Sequence, residues 1–214
     1  MKRTYGDRCG IARALDVIGE RWALLVVREL LLGPKRFTDL RAGLPHVAPD
    51  VLSQRLRELE QAGVIQRRTL PPPAGSRVYE LTERGRRLEP VVLELGFWGS
   101  VAPFPSEDAT IGADATAIAL KTLFDPVAAD GVSARYELRF GDERFRLRVA
   151  DGQLELARGE AEEPDAAIET APGTLAAVLW HGRKLDDALQ SGELKVEGSR
   201  RALNRFVRLF PLPS

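Results

Sequence analysis

Asp50, Ser53, Gln54 and Arg57 share one short stretch with Leu52, Leu56 and Leu59, and the two groups alternate at helical spacing. At about 100° per residue the leucines make one buried stripe, and Asp50, Ser53, Gln54, Arg57 and Gln61 fall on the opposite side. That outer face offers amides, a hydroxyl, a carboxylate and a guanidinium. Such groups read base edges in a major groove, where an arginine fork matches guanine and a carboxamide matches adenine. The same pattern also describes an ordinary solvated helix, and a helix followed by a hairpin occurs in many folds. Nothing in the stretch provides a nucleophile with a base beside it.

The flanking residues would hold such a helix in place. Pro49 suits a first helical turn, where its missing N–H has no partner to lose, and Gly63 suits the left-handed position just past the end. Val64 to Thr69 reads as a strand, Leu70 to Ser76 as a turn with three prolines and a glycine, and Arg77 to Leu81 as a second strand. Upstream, Ile11, Leu15, Ile18, Trp22 and Leu25 predict helix from about Ile11 to Leu32, broken near Gly19 and ended by Gly33-Pro34. Lys35 to Arg41 predicts a short helix with Phe37 and Leu40 inward, and Gly43 to His46 a turn. Short helix, turn, longer helix and basic-edged hairpin together spell a winged helix-turn-helix. Downstream, Thr82 is placed to cap a helix carrying Leu88, Val91, Val92, Leu95 and Trp98, kinked at Pro90.

The totals set the frame. A chain of 214 residues predicts two domains of roughly 100 residues each. Its formal net charge is zero, but residues 1–100 carry 17 basic and 12 acidic side chains, and the remainder 14 and 19. A basic half joined to an acidic half fits a chain in which one half meets a polyanion. The single cysteine, Cys9, excludes an intramolecular disulfide and fits a reducing compartment. Met1 to Gly10 has no apolar core for a signal peptide, and the apolar run Trp22 to Val27 is too short to span a bilayer. A soluble, cytoplasmic protein is the expectation.

Residues 101 to 108 read as a linker with two prolines. Beyond it, Ala113 to Phe124 predicts a helix. Ala134 to Phe140, Phe145 to Val149 and Leu154 to Leu156 predict strands, with Gly141-Asp142 and Asp151-Gly152 as turns between them. Asp165 to Thr170 follows as a fourth strand. Helices Pro172 to Trp180 and Leu185 to Ser191, a strand Leu194 to Gly198, and a helix Arg200 to Phe210 complete an α+β domain. The expected organisation is 1–100, a linker at 101–108, and 109–214.

Several stretches resemble the HxlR-type winged helix-turn-helix regulators: Cys9; Ala14-Leu15-Asp16-Val17-Ile18-Gly19-Glu20-Arg21-Trp22; Leu30 to Leu40; Leu52-Ser53-Gln54-Arg55-Leu56-Arg57-Glu58-Leu59; and Tyr79-Glu80-Leu81-Thr82-Glu83-Arg84-Gly85. The resemblance covers about residues 5 to 100. It implies a bacterial homodimeric regulator that pairs through its N-terminal and wing-following helices and binds an inverted repeat. The contact set it suggests is Lys35, Arg36, Thr38, Pro49, Asp50, Ser53, Gln54, Arg57 and Arg77. Lys35, Arg36 and Arg77 would hold phosphates, while Ser53, Gln54 and Arg57 would reach bases. Two positions depart from the family pattern. Gly10 follows the cysteine where proline is common, and Ala48 replaces a serine, losing an N-cap oxygen at a cost of about 1 kcal/mol.

The second half resembles a sterol-carrier-protein type domain through Asp165 to Thr170, Leu175 to Leu179 and Leu185 to Gly198. This resemblance implies a sheet covered by helices around an apolar cavity. Phe124, Phe140, Leu179, Trp180, Leu203 and Phe206 would then line a pocket for a hydrophobic small-molecule effector, or simply fill a core. Cys9 is either a redox-sensing thiol, with Arg8 and Arg13 to steady a thiolate, or a small buried apolar residue. His46 and His181 read as turn residues with no metal spacing around them. No cofactor motif or catalytic pair stands out, so the expectation is a non-enzyme. The competing function is a lipid carrier or scaffold whose first half only dimerises.

Overall fold

A computed structural model describes residues 4–73, 75–102 and 109–213. Of the expected linker, residues 103–108 lie outside the described residues. The chain divides into two compact units, Met1–Val92 and Leu93–Ser214.

The first unit opens with α1 (Gly10–Ile18) and α2 (Ala23–Leu30). Between them Trp22 adopts φ 78°, with the Arg21 guanidinium 5.1 Å from its ring centre. The expected break near Gly19 is present, and a Cβ there would collide with the Leu15 carbonyl. The short α3 (Phe37–Gly43) follows, then α4 (Pro49–Gln61), which carries the polar face described above. Pro49 stands at the start of α4, and Gly63 just beyond it takes φ 67°. Strands β1 (Ile65–Thr69) and β2 (Arg77–Leu81) pair antiparallel, Ile65 opposite Leu81 and Thr69 opposite Arg77. The core gathers Val26, Val27 and Leu30 from α2, Leu40 from α3, Leu52, Leu56 and Leu59 from α4, and Ile65 and Leu81 from the hairpin.

The kinked helix expected after Thr82 is in fact two, α5 (Glu83–Arg86) and α6 (Glu89–Gly99). Pro90 lies in the first turn of α6, where its missing N–H costs no hydrogen bond; it marks a beginning and not a bend. The division between the units falls inside α6, after Val92.

The second unit is α+β. It contains α7 (Ala113–Thr122), β3 (Ala134–Phe140), β4 (Glu143–Ala150), β5 (Gln153–Arg158), β6 (Ala166–Thr170), α8 (Pro172–Trp180), α9 (Leu185–Gln190), β7 (Leu194–Gly198) and α10 (Arg200–Arg208). The sheet order is β5-β4-β3-β6-β7. Only β3 and β6 run parallel. Positive φ at both Asp151 and Gly152 makes the tight β4–β5 turn. One face of the sheet is apolar: Tyr136, Leu138, Phe145, Leu147 and Ile168 are buried, and Phe206 of α10 meets Tyr136 edge-on at 5.1 Å. The other face is charged. Register places Arg135, Arg148 and Glu155 side by side, then Arg146 beside Glu137, and Arg144, Arg139, Glu169 and Lys195 in a third row.

Candidate nucleic-acid interface

Three leucines fix the rotation of α4. Leu52, Leu56 and Leu59 have no exposed surface, so the opposite side of the helix must face outward. Asp50, Gln54 and Arg57 are exposed there, and Ser53 is half-buried. Among the described residues the Arg57 guanidinium has neither a hydrogen bond nor an ion pair. Its neighbours are partly engaged. The Ser53 hydroxyl donates to the Pro49 carbonyl at 2.8 Å, and the Gln54 amide donates to Glu58 at 3.0 Å. Either would have to release that donor to give it to a base, though the Ser53 oxygen can still accept. Ala48 supplies no side-chain cap, as its lack of an oxygen requires.

The far end of α4 is held by the motif that follows the wing. The Thr82 hydroxyl donates to the Gly63 carbonyl at 2.6 Å, and the Thr82 N–H donates to the Val64 carbonyl at 3.0 Å. The Arg84 guanidinium donates to the Ala62 carbonyl at 2.8 Å, placing a cation where the last helical carbonyls point outward. Gly85 is required by close approach: a Cβ there would collide with the Val64 carbonyl oxygen. On the inner side, Arg55 is buried and pairs with Glu58, with Glu20 at 3.7 Å.

Lys35 is placed otherwise than the sequence suggests. Its ammonium is buried and lies 2.6 Å from the Glu29 carboxylate, which also pairs with Arg28 at 2.8 Å. A buried ammonium locked to a carboxylate is not presented to phosphate, so Lys35 leaves the expected contact set. It positions the wing instead. Its N–H donates to the Tyr79 carbonyl at 2.9 Å, and the Tyr79 N–H donates back at 2.7 Å, joining β2 to the segment before α3. The spacing of Lys35 beside Arg36 at a helix start gave no sign of Glu29, six residues earlier and next to the end of α2.

The remaining expected contacts are exposed. Arg36 and Thr38 flank the start of α3, where the Asp39 carboxylate accepts from the Arg36 N–H at 3.1 Å and from the Thr38 hydroxyl at 3.2 Å. Pro49 is exposed at the start of α4 and Arg77 at the start of β2. Sequence reading did not single out Arg67 and Arg68 of β1. Both are about half exposed, and they pair with Glu60 at 3.1 Å and Glu80 at 3.2 Å. Arg67 also lies 5.4 Å from the Tyr79 ring centre.

Two other expectations change. Cys9 is exposed, which removes the buried-apolar alternative for that residue. In the second unit Phe140, Leu203 and Phe206 are buried, and Phe206 and Phe124 each stack near Phe210, at 5.0 and 6.1 Å. The Trp180 indole N–H donates to the Phe210 carbonyl at 3.1 Å. A cleft of about 710 Å³ does exist in this unit, but Phe124, Phe140, Leu179, Trp180, Leu203 and Phe206 are all absent from its lining. Aromatic and aliphatic types alone do not distinguish a core from a cavity. Among the described residues there is no metal-binding cluster, and no helix is long and apolar enough to cross a membrane.

Residues 17–104 match the family model described as HxlR-like helix-turn-helix, and residues 113–214 match the model described as alkyl sulfatase C-terminal. The second match leaves the sterol-carrier likeness as an α+β resemblance only. The chain is 39% identical to the uncharacterized HTH-type transcriptional regulator YvaP of Bacillus subtilis, over 41% of this chain and 82% of that one. It is 36% identical to the HTH-type transcriptional regulator YodB of the same organism, over 40% and 76%. The solved reduced form of YodB from B. subtilis aligns with a TM-score of 0.40 and 32% identity, covering 47% of this chain and all of that one. The chain belongs to the HxlR-like helix-turn-helix family.

Proposed function

We propose that this HxlR-like chain is a transcriptional regulator that lays α4 in the major groove of an inverted-repeat operator, one helix from each protomer of a homodimer. The observation that carries the reading is the outer face of α4: an exposed Arg57 with no partner among the described residues, beside Gln54, Ser53 and Asp50, on a helix seated by three fully buried leucines. Arg57 is suited to guanine and Gln54 to adenine. Arg36, Thr38, Pro49 and Arg77 are suited to the backbone on either side, where cations set register without reading sequence.

Exposed apolar side chains support the homodimer. Ile11 on α1 is 73% exposed and Trp98 on α6 is 76% exposed, with Leu15, Val91 and Leu95 also open. Large apolar groups at this exposure mark association surfaces. Two-fold pairing sets the half-sites about one helical turn, roughly 10 bp, apart. The second unit is the proposed effector module: a small molecule held there changes operator affinity only by favouring one dimer geometry.

Random-site selection followed by sizing of the complex tests the reading. The expected result is a two-fold symmetric motif bound by two chains. Failure to enrich any DNA would return the lipid carrier or scaffold reading, with the first unit serving dimerisation alone.

A further inference from the structure

The second unit closes most of its charges internally and leaves one row of them open. Arg139 holds Glu137 at 2.6 Å, Arg148 holds Glu155 at 3.2 Å, Arg158 holds Asp114 at 2.5 Å and Lys195 holds Glu169 at 3.2 Å. Arg146, Lys184, Arg201, Arg205 and Arg208 have no hydrogen bond or ion pair from their side chains among the described residues. The last three lie on α10. At about 100° per residue they share one side of that helix with Asn204, opposite the buried Ala202, Leu203 and Phe206. Arg201 and Arg208 are exposed, and Arg205 is half-buried. Asp165, which acts with Arg205 on the Tyr136 hydroxyl, accepts the Arg135 N–H at 2.8 Å and forms no ion pair with Arg205.

Helix stability does not account for this row. Arg205 and Arg208 in the last turn suit the negative end of the helix, but Arg201 stands in the first turn, where the positive end disfavours a cation. It also stands four residues before Arg205, a spacing at which like charges repel. Its neighbour Arg200 is compensated by Asp186 at 2.5 Å, and Arg201 is not. Arg200 also donates to the Asn204 carbonyl oxygen at 3.3 Å, so the free end of that carboxamide is its NH2. The stripe therefore offers donors and positive charge alone. It runs about 10 Å along the helix axis. DNA carries one negative charge per about 1.7 Å of its own axis, and arginine and asparagine both hold phosphate oxygens without reading sequence. An acidic polypeptide would match the sign as well. DNA is the better match because the first unit, on the reading above, already brings this chain to it, and a tether makes the second contact intramolecular. We infer that α10 is a second, sequence-independent DNA contact, in which Arg201, Arg205 and Arg208 hold phosphates while α4 reads bases. The inference rests on the reading of α4 as the DNA-reading helix.

The test is the salt dependence of DNA binding by the full chain, measured by fluorescence anisotropy on the selected operator and on unrelated DNA. The triple variant Arg201→Gln, Arg205→Gln, Arg208→Gln should lose about 0.9 unit of salt slope per phosphate contact, about 2–3 units per chain, and keep its operator preference. A matched triple, Arg144→Gln, Arg148→Gln, Lys195→Gln, removes cations engaged within the unit and should keep the slope. Arg201→Glu carries the test if the first triple does not fold. A carboxylate suits the first turn, so its melting temperature should hold or rise, while the slope falls by about one unit and both DNAs are bound more weakly. An unchanged slope in the α10 variants, or equal flattening in the matched triple, would overturn the inference. The first result accompanied by weakened binding of polyglutamate would assign the stripe to an acidic polypeptide instead. A wild-type chain that binds no DNA would remove the reading of α4 together with this inference. Specific wild-type binding with an unchanged slope in the variants would remove this inference alone.

Discussion

In the first unit Arg36, Arg57 and Arg77 stand exposed with side chains that pair with nothing in the described chain, whereas in the second Arg139, Arg158 and Arg200 each hold a carboxylate. The difference lies in what surrounds them. The second unit is built on a sheet whose cross-strand neighbours bring opposite charges within reach, Lys195 opposite Glu169 and Arg148 opposite Glu155. The outer face of α4 has no opposite strand to answer it. Charge that is closed within a fold contributes shape, and charge left open is available to a partner. Within the first unit Lys35 belongs to the closed kind, and within the second Arg146 belongs to the open kind.

The largest expected effect comes from opening a closed pair. Glu29→Ala leaves the Lys35 ammonium buried without its carboxylate and should destabilise the first unit by about 3–5 kcal/mol. Urea denaturation followed by tryptophan fluorescence measures it; a change under 1 kcal/mol, on the scale of a surface pair, would erase the distinction between Lys35 and the exposed arginines. Next comes removal of an open cation. Arg57→Ala should leave the denaturation midpoint unchanged while costing about 1–3 kcal/mol in discrimination at one operator position. Arg77→Ala should instead weaken all sequences alike and reduce the salt slope by about one unit. Gel-shift titration at two salt concentrations separates the two, and identical behaviour would merge base-reading and phosphate-holding roles.

The smallest effects sharpen the account of the closed unit. The Tyr136 hydroxyl is buried with no hydrogen-bond partner among the described residues, and burial pushes its pKa up to about 12, opposed by Arg205 and reinforced by Asp165. Because the folded value lies above the ordinary 10.0, this tyrosine's preference for the neutral form is fully present below pH 10 and is lost as pH rises toward 12. Tyr136→Phe should therefore raise stability by about 1 kcal/mol or leave it unchanged, and flatten the loss between those pH values. Glu137 behaves with opposite sign. Burial raises its pKa, but hydrogen bonds donated by Arg139 and the Ala161 N–H outweigh burial and hold it below 4.5. Its contribution is present above that pH and fades as pH falls through the lowered value, so Glu137→Gln should blunt acid unfolding of the second unit.

Local signals were legible and distant ones were not. The alternation of Ala134 to Phe140, the turn at Asp151-Gly152 and the leucine stripe of α4 each depend on residues a few positions apart, and the structure follows them. The parallel pairing of β3 with β6 joins Tyr136 to Ala166 across two intervening strands, which no local pattern encodes. Lys35 shows the same limit at the site: its immediate neighbours Pro34 and Arg36 are exposed, while its partner Glu29 lies in α2. Gln54 and Arg57 could be placed from spacing alone, because helical geometry and three leucines fix where they point. Which apolar residues bound a cavity depends on how whole elements pack, so Phe206 could not be told from a pocket residue until Tyr136 and Phe210 were seen against it.

The clasp of Thr82 and Arg84 takes hold just past the end of α4, at the carbonyls of Ala62, Gly63 and Val64, with Gly85 packed close against the last of these. A grip on main chain is indifferent to the letters written on the outer surface. If α4 reads DNA as proposed, positions 50, 53, 54 and 57 form a cassette that can be exchanged with this mounting left intact, an interchangeable reading head for reprogramming the choice of DNA site.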